Sequence, residues 1–205
     1  MSGSEPTAET PDAGSARVLG APRNATKASV SFVPDAGAGH VRKEMPPGGG
    51  LLGALGRVLL AREARMLARL QHLDCVPRLR GSGARFLETE YVAGETVSAR
   101  RARGVTADEA ARIDAALARL HAAGFAHGDV GRRDVLLADD GRVVFFDLAT
   151  AIGPGAPPLV WRLLLPLARR HDRRRVATFV GRAQRRADDR TARLAARAAG
   201  GETQP

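Results

Sequence analysis

Apolar and polar residues alternate in two short stretches near the start of the chain, which is the pattern of half-buried β-strands. The two stretches cover residues 28–33 and 40–45. Between them, residues 34–39 are rich in glycine and also contain proline and aspartate, a composition that indicates a turn. The pattern predicts a β-hairpin with Lys43 on its second strand.

A linker of proline and glycine at 46–50 precedes residues 51–70, in which apolar residues recur with helical spacing. The predicted apolar face of this helix contains Val58, Leu59, Met66, Leu67 and Leu70. Glu63 lies on the same helix and is the only acidic residue between Glu44 and Asp74. An ordinary ion pair with an arginine on the helix surface is one interpretation of this glutamate.

Two further runs, residues 76–80 and 85–92, have the character of strands. A helix is then predicted to begin at Thr106, because Thr106 and Glu109 have the spacing of a capping box. Apolar residues recur at helical spacing after it, and Gly124 has the position of a glycine that ends a helix.

Three aspartates flank the two apolar runs that follow this helix. Asp134 directly precedes the first run, Asp147 directly follows the second, and Asp129 lies in the loop before them. Between the runs, Asp139-Asp140-Gly141 is a strong signal for a hairpin turn. Because a hairpin brings its ends together, we expect the three carboxylates at one end of a small sheet. Carboxylates in one place repel each other, and Mg²⁺ held jointly with substrate phosphates is a common compensation.

Beyond the hairpin the sequence is turn-rich at 153–158 and apolar at 159–167. Residues 169–199 are predicted to form one or two basic amphipathic helices. The apolar side of these helices is expected to carry Val176, Phe179, Val180 and Leu194. Trp161 and Phe179 are expected to be core aromatic residues.

A length of 205 residues suits one domain or two small lobes. Residues 1–15 are poor in large apolar side chains and are expected to be disordered, and residues 200–205 form a polar tail. The single cysteine, Cys75, excludes a disulfide framework. The sequence has neither a secretory signal nor an apolar run long enough to span a membrane. We therefore expect a cytoplasmic protein, with the inner face of the membrane as an alternative location.

The net charge of +10 is concentrated in one segment. Residues 162–197 contain 12 arginines and three acids, so the remainder of the chain is close to neutral. A solvated helix face is the simplest interpretation of this segment. The alternative is contact with an anionic membrane surface or a phosphorylated glycolipid. Nucleic acid is not an expected partner, because no aromatic residues are interleaved with the arginines.

Residues 127–134, His-Gly-Asp-Val-Gly-Arg-Arg-Asp, resemble the catalytic loop of the protein-kinase-like phosphotransferase superfamily in their spacing. Phe146-Asp147-Leu148 stands where the D-F-G motif of that superfamily stands. The resemblance implies that Asp129 is the catalytic base and that Asp134 and Asp147 are ligands of Mg²⁺. Asp134 replaces the asparagine usual in the family, and its carboxylate is a competent oxygen ligand.

The N-terminal half carries the rest of the resemblance. Val41-Arg42-Lys43 corresponds to the strand with the lysine that contacts the phosphates of ATP, and Glu63 corresponds to the glutamate that pairs with it. Glu90 and Val92 resemble the ends of the hinge that binds the nucleotide. A G-x-G-x-x-G loop is missing, and the loop that covers the phosphates is expected near Gly20.

The resemblance implies an α+β, two-lobed, protein-kinase-like fold. Residues 16–92 are expected to form a small β-rich N-lobe and residues 93–199 a reduced helical C-lobe with the basic helices. The catalytic loop lacks the arginine that typically binds an activation-loop phosphate, and no A-P-E motif follows Asp147. The short C-lobe resembles those of the bacterial lipopolysaccharide (Kdo/heptose) kinases and the RIO-like kinases.

The implied function is ATP- and Mg²⁺-dependent transfer of the γ-phosphate to a hydroxyl group. The expected acceptor is a sugar of the lipopolysaccharide core or a similar small molecule, and protein serine or threonine is the alternative. A pseudokinase that binds without turnover is a hypothesis from another class. A third hypothesis is an adaptor for membrane surfaces or nucleic acid that is built on the arginine-rich helices.

Overall fold

The computed structural model describes residues 17–20, 28–154 and 158–200. Its N-terminal part is an antiparallel five-stranded sheet in the order β1-β2-β3-β5-β4. The strands are β1 (Arg17–Gly20), β2 (Ser29–Val33), β3 (His40–Glu44), β4 (Leu79–Ser82) and β5 (Phe86–Glu90). Helix α1 (Gly50–Leu70) lies between β3 and β4 in the chain. The expected disordered segment 1–15 and the tail residues 201–205 lie outside the described residues.

The predicted first hairpin is formed by β2 and β3, with Val30 opposite Lys43. Its turn is closed by Asp35, whose Oδ1 accepts hydrogen bonds from the backbone N–H groups of Gly37 at 2.8 Å and Gly39 at 3.0 Å. These two bonds lower the pKa of Asp35 to about 2. Gly39 has a φ of +74°, and a Cβ there would lie 2.4 Å from the Phe32 ring. The turn therefore needs glycine at this position for both backbone and packing reasons.

Helix α1 buries most of the predicted apolar face, including Met66, but not all of it. Leu60, Leu67 and Leu70 are buried as a core face, whereas Val58 is 59% exposed. Successive residues of a helix are separated by about 100°, so Val58 and Leu60 point to nearly opposite sides. The inclusion of Val58 in the apolar face was therefore wrong.

The C-terminal part contains a three-stranded sheet in the order β6-β7-β8. The strands are β6 (Gly94–Thr96), β7 (Val135–Ala138) and β8 (Val143–Phe145). The predicted turn joins β7 to β8, where the Gly141 N–H donates to the Ala138 carbonyl at 3.0 Å and Gly141 has a φ of +87°. It is a three-residue loop that ends on a left-handed glycine. The chain passes from the first sheet to the second at residues 91–93.

Helix α2 (Ala107–Ala122) begins with the predicted capping box. The Thr106 hydroxyl accepts from the Glu109 N–H at 3.2 Å, and the Glu109 carboxylate accepts from the Thr106 N–H at 2.9 Å. Each bond satisfies a backbone donor that has no partner within the helix. Gly124 has a φ of +92° directly after the helix, as its predicted position requires.

A single helix, α3 (Pro158–Gly200), contains the apolar run 159–167 and the basic segment predicted as one or two helices, and it continues through Pro166. Val176 and Val180 are buried, as predicted. Leu194 is 53% exposed, since all side chains described at 188–194 lie outside the core, and Trp161 is only half-buried. The assignments of Leu194 to the apolar side and of Trp161 to the core were therefore wrong. Among the described residues, no helix has the length and apolarity to cross a membrane.

One apolar core joins the two parts of the molecule through α1, α2, α3 and the strands β7 and β8. Cys75 is completely buried in it, and burial raises the pKa of its thiol to about 11. The Cys75 carbonyl accepts a hydrogen bond from the Phe145 N–H at 2.9 Å. Cys75 is therefore a small buried core residue. Its carbonyl also links the end of β8 to the segment after α1.

Helix α3 is held close to the segment before α2 by a glycine contact. A Cβ at Gly104, whose φ is +76°, would lie 2.3 Å from the Ala183 carbonyl oxygen and 2.7 Å from the Ala187 nitrogen. The neighbouring Val105 N–H donates to that same Ala183 carbonyl at 3.3 Å. The backbone of α3 can reach this position only because residue 104 has no side chain.

We predict that Gly104→Ala destabilises the protein by about 3 kcal/mol or more, because backbone strain adds to the clash with α3. Gly48→Ala is the matched control, since Gly48 has a φ of +79° but has no atom within 4 Å of its added Cβ. The control should lose about 1 kcal/mol from strain alone. Urea denaturation measures both values, and equal losses would contradict the close contact with α3.

Candidate active site

Lys43 and Glu63 form an ion pair in the cleft between the two parts of the molecule. The Lys43 Nζ lies 2.5 Å from Glu63 Oε1, and the Glu63 side chain is 8% exposed. Burial lowers the pKa of Lys43, but the charges of Glu63, Asp147 and Asp134 outweigh it, so that the pKa is raised. The lysine is therefore firmly protonated and is surrounded by carboxylates.

Asp147 follows β8 in a strained conformation and faces this pair. Its φ of 60° and ψ of 58° make it the one non-glycine residue with positive φ among those described. Left-handed backbone at a residue other than glycine costs about 1–3 kcal/mol and is concentrated at functional sites. The Asp147 carboxylate lines a cavity of about 330 Å³ together with Lys43 and Glu63.

Asp129 lies in an exposed loop beside this cleft. Its side chain is 69% exposed, and Arg175 Nη2 of α3 lies 3.6 Å from its Oδ1. The preceding Gly128 has a φ of +90°, and a Cβ there would lie 2.6 Å from the Thr150 carbonyl oxygen. The loop is thus packed tightly at Gly128 and leaves the Asp129 carboxylate accessible.

His127 joins the loop of Asp129 to the segment of Asp147. Its ring is buried, and its Nε2 lies 2.8 Å from the carbonyl oxygen of Phe146. Because a carbonyl can only accept, Nε2 is the donor in this bond. His127 therefore has a structural role, and it positions the residue before Asp147.

Asp172 of α3 is a further residue that the sequence did not identify as part of the site. Its side chain fixes the position of the loop that carries Asp129. Its side chain is fully buried. Its Oδ2 accepts from the His127 N–H at 2.7 Å and lies 3.1 Å from His121 Nε2, while its Oδ1 accepts from the Gly128 N–H at 3.0 Å. The signal was present in the sequence, since Asp172 precedes the apolar Val176 by four residues and so shares its side of the helix.

Asp134 lies between Asp129 and Asp147 in the chain and is half-buried. Its Oδ2 accepts from the Gly131 N–H at 2.9 Å, and its carbonyl accepts from the Phe146 N–H at 2.8 Å. Burial raises the pKa of Asp134, and the charges of Asp147 and Asp129 add to the increase. The hairpin therefore brings Asp134 close to Asp147, as its turn predicts.

The charges of Asp129 and Asp147 act on Asp134 at one end of the small sheet, but the three carboxylates do not form a compact metal site. Within the described part of the chain, no three His, Cys, Asp or Glu side chains are arranged to hold a metal ion. Asp129 is directed instead toward Arg175. The donors that remain, Asp134 and Asp147, nevertheless fit Mg²⁺, which usually binds one or two carboxylates together with phosphate oxygens and water.

The hinge residues differ in what they can contribute. Glu90 Oε1 accepts from the Arg78 N–H at 3.1 Å and from Arg142 Nη1 at 3.2 Å, so its side chain is occupied by structural contacts. The Glu90 N–H is also occupied, because it donates to the Arg78 carbonyl at 2.8 Å, so neither this N–H nor the side chain is available for the predicted role in nucleotide binding. Val92 packs in a small apolar cluster with Leu136 and Val144.

Phe32 is a further residue that sequence reasoning did not single out. Its ring lies 5.1 Å from that of the hinge residue Tyr91, at an interplanar angle of 75°. This edge-to-face contact joins β2 to the hinge. A phosphate-covering segment is expected near Gly20. Residues 21–27, which follow Gly20, lie outside the described residues.

No family model matches the chain. Among solved structures, the chain is similar to the Rio2 kinase from Chaetomium thermophilum, determined as an ADP/Mg²⁺-phosphoaspartate complex. The two align with a TM-score of 0.63 and 15% sequence identity, over 83% of this chain and 56% of that chain. The chain thus spans little more than half the length of this neighbour. The likeness confirms the predicted fold class: this is a mixed α+β protein with a kinase-like fold, in which a β-sheet region precedes a helical C-terminal part.

Proposed function

We propose that the protein is an ATP- and Mg²⁺-dependent phosphotransferase with a hydroxyl group as acceptor. The observation that carries the proposal is the Lys43–Glu63 pair beside the strained Asp147, which lie around one cavity. An isolated structural ion pair would not require a third charged residue in an unfavourable backbone conformation. Phosphoryl transfer does need charges that are held in fixed positions before the substrate arrives.

Lys43 contacts the phosphates of ATP in this proposal, and Glu63 holds the ammonium in place. A compact ammonium suits a space that three carboxylates already border, and the larger planar guanidinium of arginine does not. The chain has only two lysines against 30 arginines, so the presence of lysine at this position is informative.

Asp147 and Asp134 are the residues that would hold Mg²⁺. When bound, the ion supplies positive charge that neutralises the oxygens of the phosphates. The strained backbone directs the Asp147 carboxylate into the cavity, and the Gly131 N–H orients that of Asp134.

Asp129 accepts the proton of the attacking hydroxyl. The hydroxyl oxygen forms a bond to the γ-phosphorus while the bond from that phosphorus to the ADP oxygen breaks. Asp129 suits this role because its carboxylate is accessible and its loop is fixed by His127, Gly128 and Asp172. The position of the loop thus depends on buried residues, and the reacting group remains exposed.

For the acceptor we propose a small hydroxyl compound such as a sugar of the lipopolysaccharide core. The loop of Asp129 lacks the arginine that typically binds an activation-loop phosphate in protein kinases, which favours a small acceptor over an extended peptide. A serine or threonine of a protein is the second candidate, and labelled ATP offered with glycolipid and protein fractions separates the two.

Mg²⁺-ATP should raise the melting temperature of the protein, and Asp147→Asn should remove most of this shift, because it removes a charged ligand from the proposed metal site. At a ligand concentration of 100 Kd the stabilisation amounts to about 2.7 kcal/mol. Differential scanning fluorimetry measures the shift. Asp114→Asn, an exposed change on α2, is the control and should respond as the wild type does. An unchanged shift in Asp147→Asn would refute its role as a ligand.

Asp129→Asn should lower turnover by about 10²–10⁴-fold, the usual contribution of a general base, while the Mg²⁺-ATP shift in melting temperature remains. Slow ATP hydrolysis, with water as the acceptor, provides the assay. If Asp129→Asn hydrolyses ATP as fast as the wild type, the assignment of the base is wrong. If the wild type binds Mg²⁺-ATP but shows no turnover with any acceptor fraction, the protein is a binding module.

Lys43→Arg should weaken ATP binding even though it preserves the charge, because the cleft around Lys43 is matched to an ammonium. Glu63→Gln should have a similar effect, and the double variant should lose less than the sum of the two, since both act on one interaction. Titration with ATP gives the affinities. Additive losses would show that Lys43 and Glu63 act independently.

A further inference from the structure

A second cavity, of about 430 Å³, lies between α3, the 3₁₀ turn at Ala99–Arg101 and the loop that follows Asp129. Among the described residues, no acid lines it. Its basic lining residues are Arg100, Arg132, His171, Arg174, Arg175, Arg182 and Arg186. A concave surface with one sign of charge concentrates ions of the opposite sign.

Most of these arginines are not neutralised by neighbouring acids. Arg100 forms ion pairs with Glu109 and Glu95, and Arg175 lies near Asp129. The other four arginines of the cavity form no ion pair with a described residue, in contrast to Arg42 and Arg142, which each contact two carboxylates. The arrangement therefore leaves several guanidinium groups with donors available to a ligand.

The cations of α3 face the cavity as a row. Arg174, Thr178, Arg182 and Arg186 follow one another at intervals of four residues, so they lie along one side of the helix. Arg182 and Arg186 are like charges four residues apart, which destabilises a helix, and a bound anion would relieve their repulsion. A solvated helix face offers no comparable reason to place the charges around a cavity.

The row is also held on a rigid support. Asp172, Val176 and Val180 anchor the opposite side of α3 in the core, and Gly104 lets the segment before α2 touch the helix backbone. The cavity has the size of a small-molecule site. Phe179 and Val97 contribute apolar lining, which suits the carbon skeleton of a ligand whose anionic group contacts the arginines.

The cavity adjoins the proposed catalytic base directly. Arg175 lines the cavity, its Nη2 lies 3.6 Å from Asp129 Oδ1, and its Nε donates to the Val130 carbonyl at 3.2 Å. Gly131 and Arg132, which also line the cavity, follow Asp129 by two and three residues. A small molecule with its anionic group in this cavity can therefore present a hydroxyl to Asp129.

We infer that this cavity binds a phosphate group already present on the acceptor, so the enzyme adds a further phosphate to a phosphorylated hydroxyl compound of sugar-phosphate size. The inference deepens the proposed function and rests on it. A phosphate monoester carries up to two negative charges and three oxygens that accept from several guanidinium groups at once, which a single carboxylate cannot do. The phosphate is a recognition group and takes no part in bond making.

The test measures binding of inorganic phosphate, glucose 6-phosphate and glucose by calorimetry without nucleotide. The wild type should bind the two phosphates and not glucose. Arg174→Gln/Arg182→Gln should weaken phosphate binding by about tenfold or more, because each arginine provides charged hydrogen bonds. Arg173→Gln/Arg190→Gln is the matched control, with the same loss of charge at exposed positions of α3 outside the cavity. It should bind as the wild type does.

Equal weakening of phosphate binding in the two double variants would overturn the inference, because it would show that phosphate responds only to the total positive charge of α3. Equal binding of glucose and glucose 6-phosphate would also overturn it. Phosphatidylcholine vesicles with and without phosphatidic acid identify the source of the phosphate. Binding only to phosphatidic acid vesicles, lost in the cavity variant alone, assigns the cavity to a lipid headgroup phosphate. If no phosphate source binds, the inference is wrong.

A separate readout distinguishes this inference from the proposed function. The cavity variant should retain the Mg²⁺-ATP shift in melting temperature and the hydrolysis of ATP with water, because its changes lie outside the nucleotide cleft. Loss of phosphate binding with these properties intact supports the inference. If the wild type shows no Mg²⁺-ATP shift but the cavity still binds phosphate, the proposed function fails and the anion site remains. A loss of both properties in the cavity variant would contradict a separate site.

Discussion

The buried carboxylate of Asp172 is the interaction on which the candidate site depends. It is fully buried and is compensated by two backbone N–H groups of the loop that carries Asp129 and by the ring of His121. Removing one partner of such a buried charge destabilises the folded protein by several kcal/mol. Once the core has formed, the conformation in which Asp172 keeps all of these contacts is therefore strongly preferred. It joins α2, α3 and the loop, so that the position of Asp129 is determined by buried residues and not by its own exposed side chain.

The loop that Asp172 holds in place lies between two regions of opposite charge. On one side, the cleft holds Asp134, Asp147 and Glu63 around the protonated Lys43. On the other side, arginines of α3 line a cavity to which the described part of the chain contributes no acid. Asp129 lies at the boundary, near Arg175. In the proposed function, the carboxylates of the cleft attract Mg²⁺ and the Lys43 ammonium attracts the nucleotide phosphates, whereas the arginines of the cavity attract an anionic acceptor.

Local signals in the sequence predicted several parts of the structure. The Asp139-Asp140-Gly141 turn, the capping box of Thr106 and Glu109, and the first hairpin are present because each depends on hydrogen bonds within a few residues. The long-range contact between Lys43 and Glu63 followed from a family resemblance and not from spacing. The buried face of α1 was misjudged at Val58, because periodicity shows that a helix has an apolar side without showing which neighbours cover it.

The sequence by itself determined the elements that local chemistry specifies, namely the turns, the helix cap, and the order of the lysine and the acids along the chain. Only the tertiary structure decided the functions of Asp172 and of the arginines of α3. Asp172 and these arginines lie in one basic segment whose sequence is typical of a solvated helix. They differ in the side of α3 on which they lie, since Asp172 faces the core and the arginines line the cavity. The physical reason is that the energy of a charge depends on its burial and on its partners, and here those partners lie about 40 or more residues away in the chain.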